Sequence, residues 1–136
     1  MAIDWGKRRL GLAVCDELGL TVRGLPTLTR TNRPADLQAV EEVAVAENVG
    51  LLVVGRPLNL DGTAGQSASL AEQFGRTLAN RLNLEVSFQD ERLTSKEAEE
   101  RLRASGKAAA KAEIDRVSAE IILESYLASA QREETV

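Results

Sequence analysis

Three stretches of this chain carry acidic side chains whose positions invite a chemical reading. Asp4 heads the run Asp4-Trp5-Gly6-Lys7-Arg8-Arg9-Leu10-Gly11. Asp90-Glu91-Arg92 closes an alternating segment, Leu84-Glu85-Val86-Ser87-Phe88. Asp115 is followed by Ala119, Ile122 and Tyr126 at spacings of four, seven and eleven, so it shares an otherwise apolar helical stripe. A charge directed at a protein interior is costly unless a cation or hydrogen bonds satisfy it. Three carboxylates gathered from Asp4, Glu91 and Asp115 would repel one another unless divalent metal lay between them. Two-metal phosphoryl transfer uses such a set, with one ion activating water and the other stabilising the leaving oxygen. Each residue also has an ordinary explanation. Asp4 with Gly6 is a common turn pair, and Asp115 is either a helix-start aspartate favoured by the dipole or a partner of Lys111.

Composition narrows the chemistry. The 136 residues include no histidine, which removes Ser-His-Asp and Cys-His catalysis and nearly every zinc site. Carboxylates, Lys, Arg and hydroxyls are left, and Mg²⁺ or Mn²⁺ is the cofactor that oxygen ligands favour. The lone Cys15 lies in an apolar run and reads as a small core residue, since no histidine is present to activate it. Its solitude agrees with a cytoplasmic location. No apolar run reaches the ~18 residues of a membrane span, and no cleavable leader is expected before the first strand. Net charge is −4, against a general nucleic-acid coat. Cations nevertheless crowd the sequence near the candidate site (Lys7, Arg8, Arg9, Arg56, Arg92, Lys107, Lys111, Arg116), which is either a local phosphate-binding patch or ordinary mixed surface.

The elements that must position these residues follow from periodicity. Met1-Ala2-Ile3 ends a strand, and Leu10-Gly11-Leu12-Ala13-Val14 alternates as its hairpin partner. Leu20 to Leu28 is a third strand, placed at the sheet edge by Pro26. Asn32 or Thr31 caps a helix with Pro34 in its first turn, running from Ala35 to Asn48. Leu51-Leu52-Val53-Val54 is apolar throughout, as in a strand buried on both faces. A loop from Gly55 to Gly65 opens a helix with Leu70, Phe74, Leu78 and Leu82 on one side. The Leu84 strand follows, then a helix with Thr94 and Glu97 as capping box, a mobile-looking stretch from Ala104 to Lys111, and a last helix from about Glu113 to about Ala130. One domain, residues 1–136, is expected. Its fold class is α/β: a five-stranded mixed sheet, three antiparallel strands then two parallel, with helices on both faces. The first strand is central and the Leu51 strand runs parallel beside it, so right-handed crossovers bring Asp4, the Gly55 loop and Glu91 to one edge.

Four blocks together resemble a known family: Asp4 through Val14, Gly55 through Gly62, Asp90-Glu91-Arg92-Leu93-Thr94-Ser95, and Asp115 through Leu127. They are similar, in order and over essentially the whole chain, to the YqgF family, also called RuvX, of Holliday junction resolvases or pre-16S rRNA processing nucleases. The resemblance implies an RNase H-like fold and a divalent-metal-dependent nuclease that hydrolyses phosphodiester bonds by a two-metal-type mechanism. It implies a bacterial, cytoplasmic role in maturing the 5′ end of 16S rRNA, with pre-16S rRNA or branched DNA as partner and ribosomal precursor particles as a setting. No membrane is involved, and monomer and homodimer both stay open. The family's acidic positions fall on Asp4, Glu91 and Asp115. Two residues depart from the pattern: Cys15 stands where serine is usual, and Arg56 where an apolar residue is usual.

Asp90 and Glu91 compete for one role, because neighbours on a strand point to opposite sides. The family block favours Glu91, whose longer reach also suits a strand one place from the centre. The substrate contacts expected are Lys7, Arg8, Arg9, Arg56 and Arg92 for phosphates, with Asn59 and Thr63 of the glycine loop for nucleotide edges or sugar. Arg56 serves equally as a surface ion pair, and Asp61-Gly62 as an ordinary turn. Rivals from other classes are a nucleotide-binding domain of the actin and sugar-kinase type, whose phosphate loop also begins Asp-x-Gly, and a non-catalytic RNA-binding module of the same fold.

Overall fold

Ala2–Trp5 forms β1, and the sheet grows outward from it on both sides. The computed structural model describes residues 1–59, 61–107 and 110–134. Arg9–Cys15 (β2) and Val22–Thr29 (β3) complete an antiparallel meander on one side of β1. Leu51–Pro57 (β4) and Glu85–Glu91 (β5) run parallel to β1 on the other, giving the order β3-β2-β1-β4-β5. The expected mixed sheet, its central first strand and the edge position of the Pro26 strand are all present. Among the described residues four helices alternate with or follow the strands: Arg33–Ala46 (α1), Gln66–Leu82 (α2), Thr94–Ala104 (α3) and Lys111–Glu134 (α4). No helix of the described residues is long and apolar enough to cross a membrane.

Each face of the sheet has its own core. On one, Ile3, Leu12, Leu52 and Val54 pack against Leu37 and Val40 of α1 and Phe74 and Leu78 of α2. On the other, Ala2, Ala13 and Val53 meet Ala119, Ile122 and Leu123 of α4. β4 divides its side chains between them, Leu52 and Val54 one way and Val53 the other, as its unbroken apolar run implied. α3 packs on α4, laying Ala98 and Leu102 against Val117 and Ile121, and touches the sheet through Thr94 at the end of β5.

Local chemistry starts and stops these elements. Asn32 caps α1, accepting at 3.0 Å from the Ala35 amide, with Pro34 in the first turn. Asn83 ends α2 in the left-handed region at φ 55°. The expected Thr94–Glu97 capping box is corrected: the cap position belongs to Leu93, at φ 60°, and Thr94 turns its hydroxyl back to Glu91. Leu70 is also corrected, since it lies exposed while Phe74 and Leu78 carry the buried stripe of α2. α4 begins at Lys111, earlier than periodicity placed it, so Asp115 stands one turn inside the helix and Glu113 holds the first-turn acidic position. The reading of Ala104–Lys111 as mobile falls partly on Ala108 and Ala109, outside the described residues.

A buried network braces the turn that follows Asp4. The Arg30 guanidinium lies 4.7 Å over the Trp5 ring, donates to Asp36 at 3.0 Å and to the Gly6 carbonyl at 3.0 Å. Asp36, 5% exposed, also accepts from the Thr31 amide. Pairing and hydrogen bonding are what make a buried carboxylate tolerable, and here they tie β1, β3 and α1 to the tip of the first hairpin.

Candidate active site

β1 brings Asp4 to the same edge of the sheet at which β4 and β5 end. Asp4 pairs in register with Gly11 on β2 and Gly55 on β4, so its two lateral neighbours have no side chains. A Cβ at Gly11 would overlap the Asp115 carbonyl oxygen, and one at Gly55 would come within 2.5 Å of Ile122 Cδ1. These two glycines let the α4 backbone settle directly on the sheet. Asp115 is thereby delivered beside Asp4, against a helix axis that larger residues would hold away.

Glu91 ends β5, and a built Cβ at Gly55 would stand 3.5 Å from its Cγ. Asp4 and Glu91 open on one cavity of about 170 Å³, shared with Arg92, Thr94 and Ser95. Asp90 points the other way. It is exposed and takes Arg56 at 2.7 Å, and Arg56 also reaches Glu72 of α2. Strand alternation therefore separates the two neighbours, and Glu91 is the one that faces Asp4. The left-handed turn at Leu93 lets Thr94 fold back and donate its hydroxyl to the Glu91 carboxylate, which aims that side chain.

The electrostatics are those of an under-compensated acidic cluster. Asp4 is pushed up to about 7, by burial first and then by the charges of Asp115 and Glu91. Among the described residues nothing donates a hydrogen bond to its carboxylate. Burial also raises Glu91, with the Thr94 hydroxyl pulling the other way and the Glu97 and Asp90 charges adding to the rise. Asp115 has a partner: Arg9 Nε donates to its Oδ2 at 2.5 Å. Among the described residues no ion pair engages Asp4 or Glu91, and their oxygens suit a hard divalent ion. The third carboxylate is committed elsewhere, and among the described residues no group of three or more Asp, Glu or Cys is disposed to hold a metal.

The other expected contacts divide. Lys7 and Arg8 are exposed in the turn between β1 and β2. Arg92 lies at the cavity and over Gly62, its guanidinium nitrogens 3.3 and 3.5 Å from a Cβ built there. Arg56 is held by Asp90 and Glu72 away from the cavity. Asn59 donates to the Thr63 hydroxyl at 2.9 Å, and Thr63 donates to Asp61 at 2.7 Å, so both side chains serve the shape of their own loop. Sequence reading missed two features: Thr94 as the residue that aims Glu91, and Arg9 as the partner of Asp115. A hydroxyl three residues after a carboxylate was a visible signal for the first; the second joins residues 106 positions apart. A larger cavity of about 440 Å³, lined by Met1, Val14, Leu51 and Leu123, lies where the parallel strands begin and is mainly apolar. Its size does not outweigh the carboxylates at the other end.

A family model described as "RuvX: Holliday junction resolvase" matches residues 1–129. The chain belongs to the RuvX family. Membership places it among phosphodiester hydrolases. A relative from Synechococcus elongatus, named "Putative pre-16S rRNA nuclease", is 42% identical over 93% of this chain and 87% of its own length. One of the same name from Anaeromyxobacter sp. is 44% identical over 93% and 94%. Among solved structures, Thermus thermophilus RuvC superposes with TM-score 0.60 at 13% identity, covering 95% of this chain and 94% of that one. RuvC from the same organism in complex with a Holliday junction substrate gives TM-score 0.59 at 16% identity, over 94% and 92%. These likenesses establish the RNase H-like fold of this RuvX chain.

Proposed function

We propose that this chain is a divalent-metal-dependent nuclease that trims the 5′ end of pre-16S rRNA in the bacterial cytoplasm, with residues 1–136 acting as one RNase H-like domain. The observation that carries the reading is Asp4: a largely buried carboxylate with no hydrogen-bond donor among the described residues, sharing a cavity with Glu91 and raised by burial first and then by the charges of Asp115 and Glu91. Such an arrangement costs stability and is retained where it serves chemistry. The name shared by relatives about two-fifths identical over most of the chain supports the RNA substrate.

Asp4 and Glu91 would hold Mg²⁺ or Mn²⁺, with Asp115 as third ligand. When bound, the metal supplies positive charge for water activation and for the leaving oxygen, in the two-ion manner. Thr94 keeps Glu91 aimed at Asp4. Lys7 and Arg8 on the hairpin turn and Arg92 at the cavity rim bind substrate phosphates, which localises basic charge on a chain of net charge −4. Arg9 and Arg56 arrive with carboxylate partners already in place, while Asn59 and Thr63 shape the loop beside the path.

A second reading, cleavage of branched DNA, is favoured by the description of the family model itself. Both are tested by incubating end-labelled 16S precursor and a four-way DNA junction with wild type and Asp4→Asn, in Mn²⁺ and in EDTA. Metal-dependent cutting of the precursor at its 5′ side, absent in Asp4→Asn, is expected. Cutting confined to the junction transfers the reading to DNA. No cutting of either by wild type removes the nuclease reading.

A further inference from the structure

Arg9 stands apart from the other cations of the first hairpin. Lys7 and Arg8 are exposed, whereas the Arg9 side chain is 30% exposed and its partner Asp115 only 19%. Arg9 opens β2, and its carbonyl accepts from the Gly6 amide at 3.1 Å, which anchors its backbone to the turn that follows Asp4. Two residues further on, Gly11 seats the α4 backbone at Asp115. The guanidinium and the carboxylate are therefore both carried on well-fixed backbone, and their 2.5 Å contact is built in. Asp4 feels the Asp115 charge, while Asp115 directs an oxygen at Arg9.

We propose that Arg9 is a latch on Asp115: its guanidinium holds the carboxylate in the metal-free protein and competes with the divalent cation for it. Arg9 is thus a positioning residue that delays completion of the metal site. It stabilises the empty site by satisfying one of three crowded carboxylates, and on release it leaves a cation beside Asp4, Glu91 and the exposed Lys7 and Arg8, where a phosphate can take it up. The latch accounts for the absence, among the described residues, of a ready three-carboxylate group in a site whose other two members lie together. The inference rests on the nuclease reading for the nature of the cation.

The test is Mn²⁺ affinity, measured without substrate by counting free ion through its paramagnetic resonance. Wild type, Arg9→Gln, Arg8→Gln, Asp115→Asn and the double variant Arg9→Gln with Asp115→Asn are compared. Arg9→Gln is expected to bind Mn²⁺ roughly three- to tenfold more tightly, a range between exposed and buried ion pairs. Its metal-free form should melt lower than wild type, because Asp115 then faces Asp4 unpaired. Arg8→Gln should change affinity by less than about twofold, since screening by water weakens an exposed charge. In the Asp115→Asn background the effect of Arg9→Gln should vanish, which is the signature of a pairwise interaction. Unchanged or weaker binding in Arg9→Gln overturns the latch, as does an equal gain in Arg8→Gln or a gain that persists without Asp115. If Arg9→Gln does not fold, Arg9→Lys replaces it; loss of the planar fork should give a smaller gain in the same direction, and no gain overturns the proposal. Failure of the nuclease reading looks different, because wild type would then bind no Mn²⁺ that Asp4→Asn abolishes.

Discussion

On the face covered by α1 and α2 the sheet presents Ile3, Leu12, Leu52 and Val54, and the helices answer with Leu37, Val40, Phe74 and Leu78. On the face covered by α4 it presents Ala2, Ala13 and Val53, with Gly11 and Gly55 between them. Large side chains on both partners bury more apolar area and keep helix and sheet well separated. Small ones bury less but allow a backbone to descend onto the strands. The first face supplies most of the apolar burial, and the second brings a helical aspartate within electrostatic reach of a strand aspartate. Stability and chemistry are thus divided between two sides of one sheet, and substitutions on the two should fail in different ways.

The largest effect belongs to Asp4→Asn. Cleavage should fall by about 10³ or more, some 4 kcal/mol of transition-state stabilisation, because a ligand and its charge are lost. The metal-free variant should nevertheless melt at or above the wild-type temperature. The sign follows from linkage: folded Asp4 titrates about 7, against 3.8 when unperturbed. Between these values the folded state keeps a proton that the unfolded state has released, so the contribution to stability falls as pH rises from about 4 to about 7. Scanning calorimetry across that window should show Asp4→Asn flattening the fall. Equal slopes for variant and wild type would show Asp4 to be well solvated and the cluster unstrained.

Leu78→Ala strikes the other face. Leu78 is fully buried, and its truncation should cost about 2–5 kcal/mol, read by denaturant unfolding. The protein that stays folded should respond to Mn²⁺ as wild type does. A lost metal response would mean that the two faces are not separable.

Gly11→Ala adds one methyl on the thin face, where it overlaps the Asp115 carbonyl. Overpacking of this kind costs about 1–3 kcal/mol, and lifting α4 should also shrink the stabilisation gained from Mn²⁺. Gly50→Ala is the comparison, since a Cβ there meets nothing within 4 Å; it should change stability by no more than about 0.5 kcal/mol. Similar losses for both would point to glycine's backbone freedom, not to the seat of α4.

Thr94→Val should have the smallest effect, about 0.5–1.5 kcal/mol for one hydrogen bond. Its specific mark is on Glu91, whose carboxyl should rise further once the hydroxyl that lowers it is gone. A carbon-13 titration that leaves Glu91 unmoved would separate Thr94 from the site.

Much of this protein could be read along the chain because it depends on neighbours in sequence. Alternation exposed the meander from β1 to β3, Pro26 marked the edge strand, and the unbroken run Leu51–Val54 marked a strand buried on both sides. Asn32 and Pro34 announced the start of α1 because a cap bonds an amide three residues on. Strand alternation even predicted that only one of Asp90 and Glu91 would face Asp4. What sequence could not reach depends on which element comes to rest against which. Thr94 reads as a cap until the left-handed turn at Leu93 swings it onto Glu91. Arg56 reads equally as a phosphate contact and as a surface ion pair, and its partners Asp90 and Glu72 come only with β5 and α2. Arg9 meets Asp115 across 106 residues, a pairing set by the depth to which Gly11 and Gly55 admit α4. Periodicity tells which way a side chain points within its own element; how closely two elements approach is settled only when the residues between them are packed.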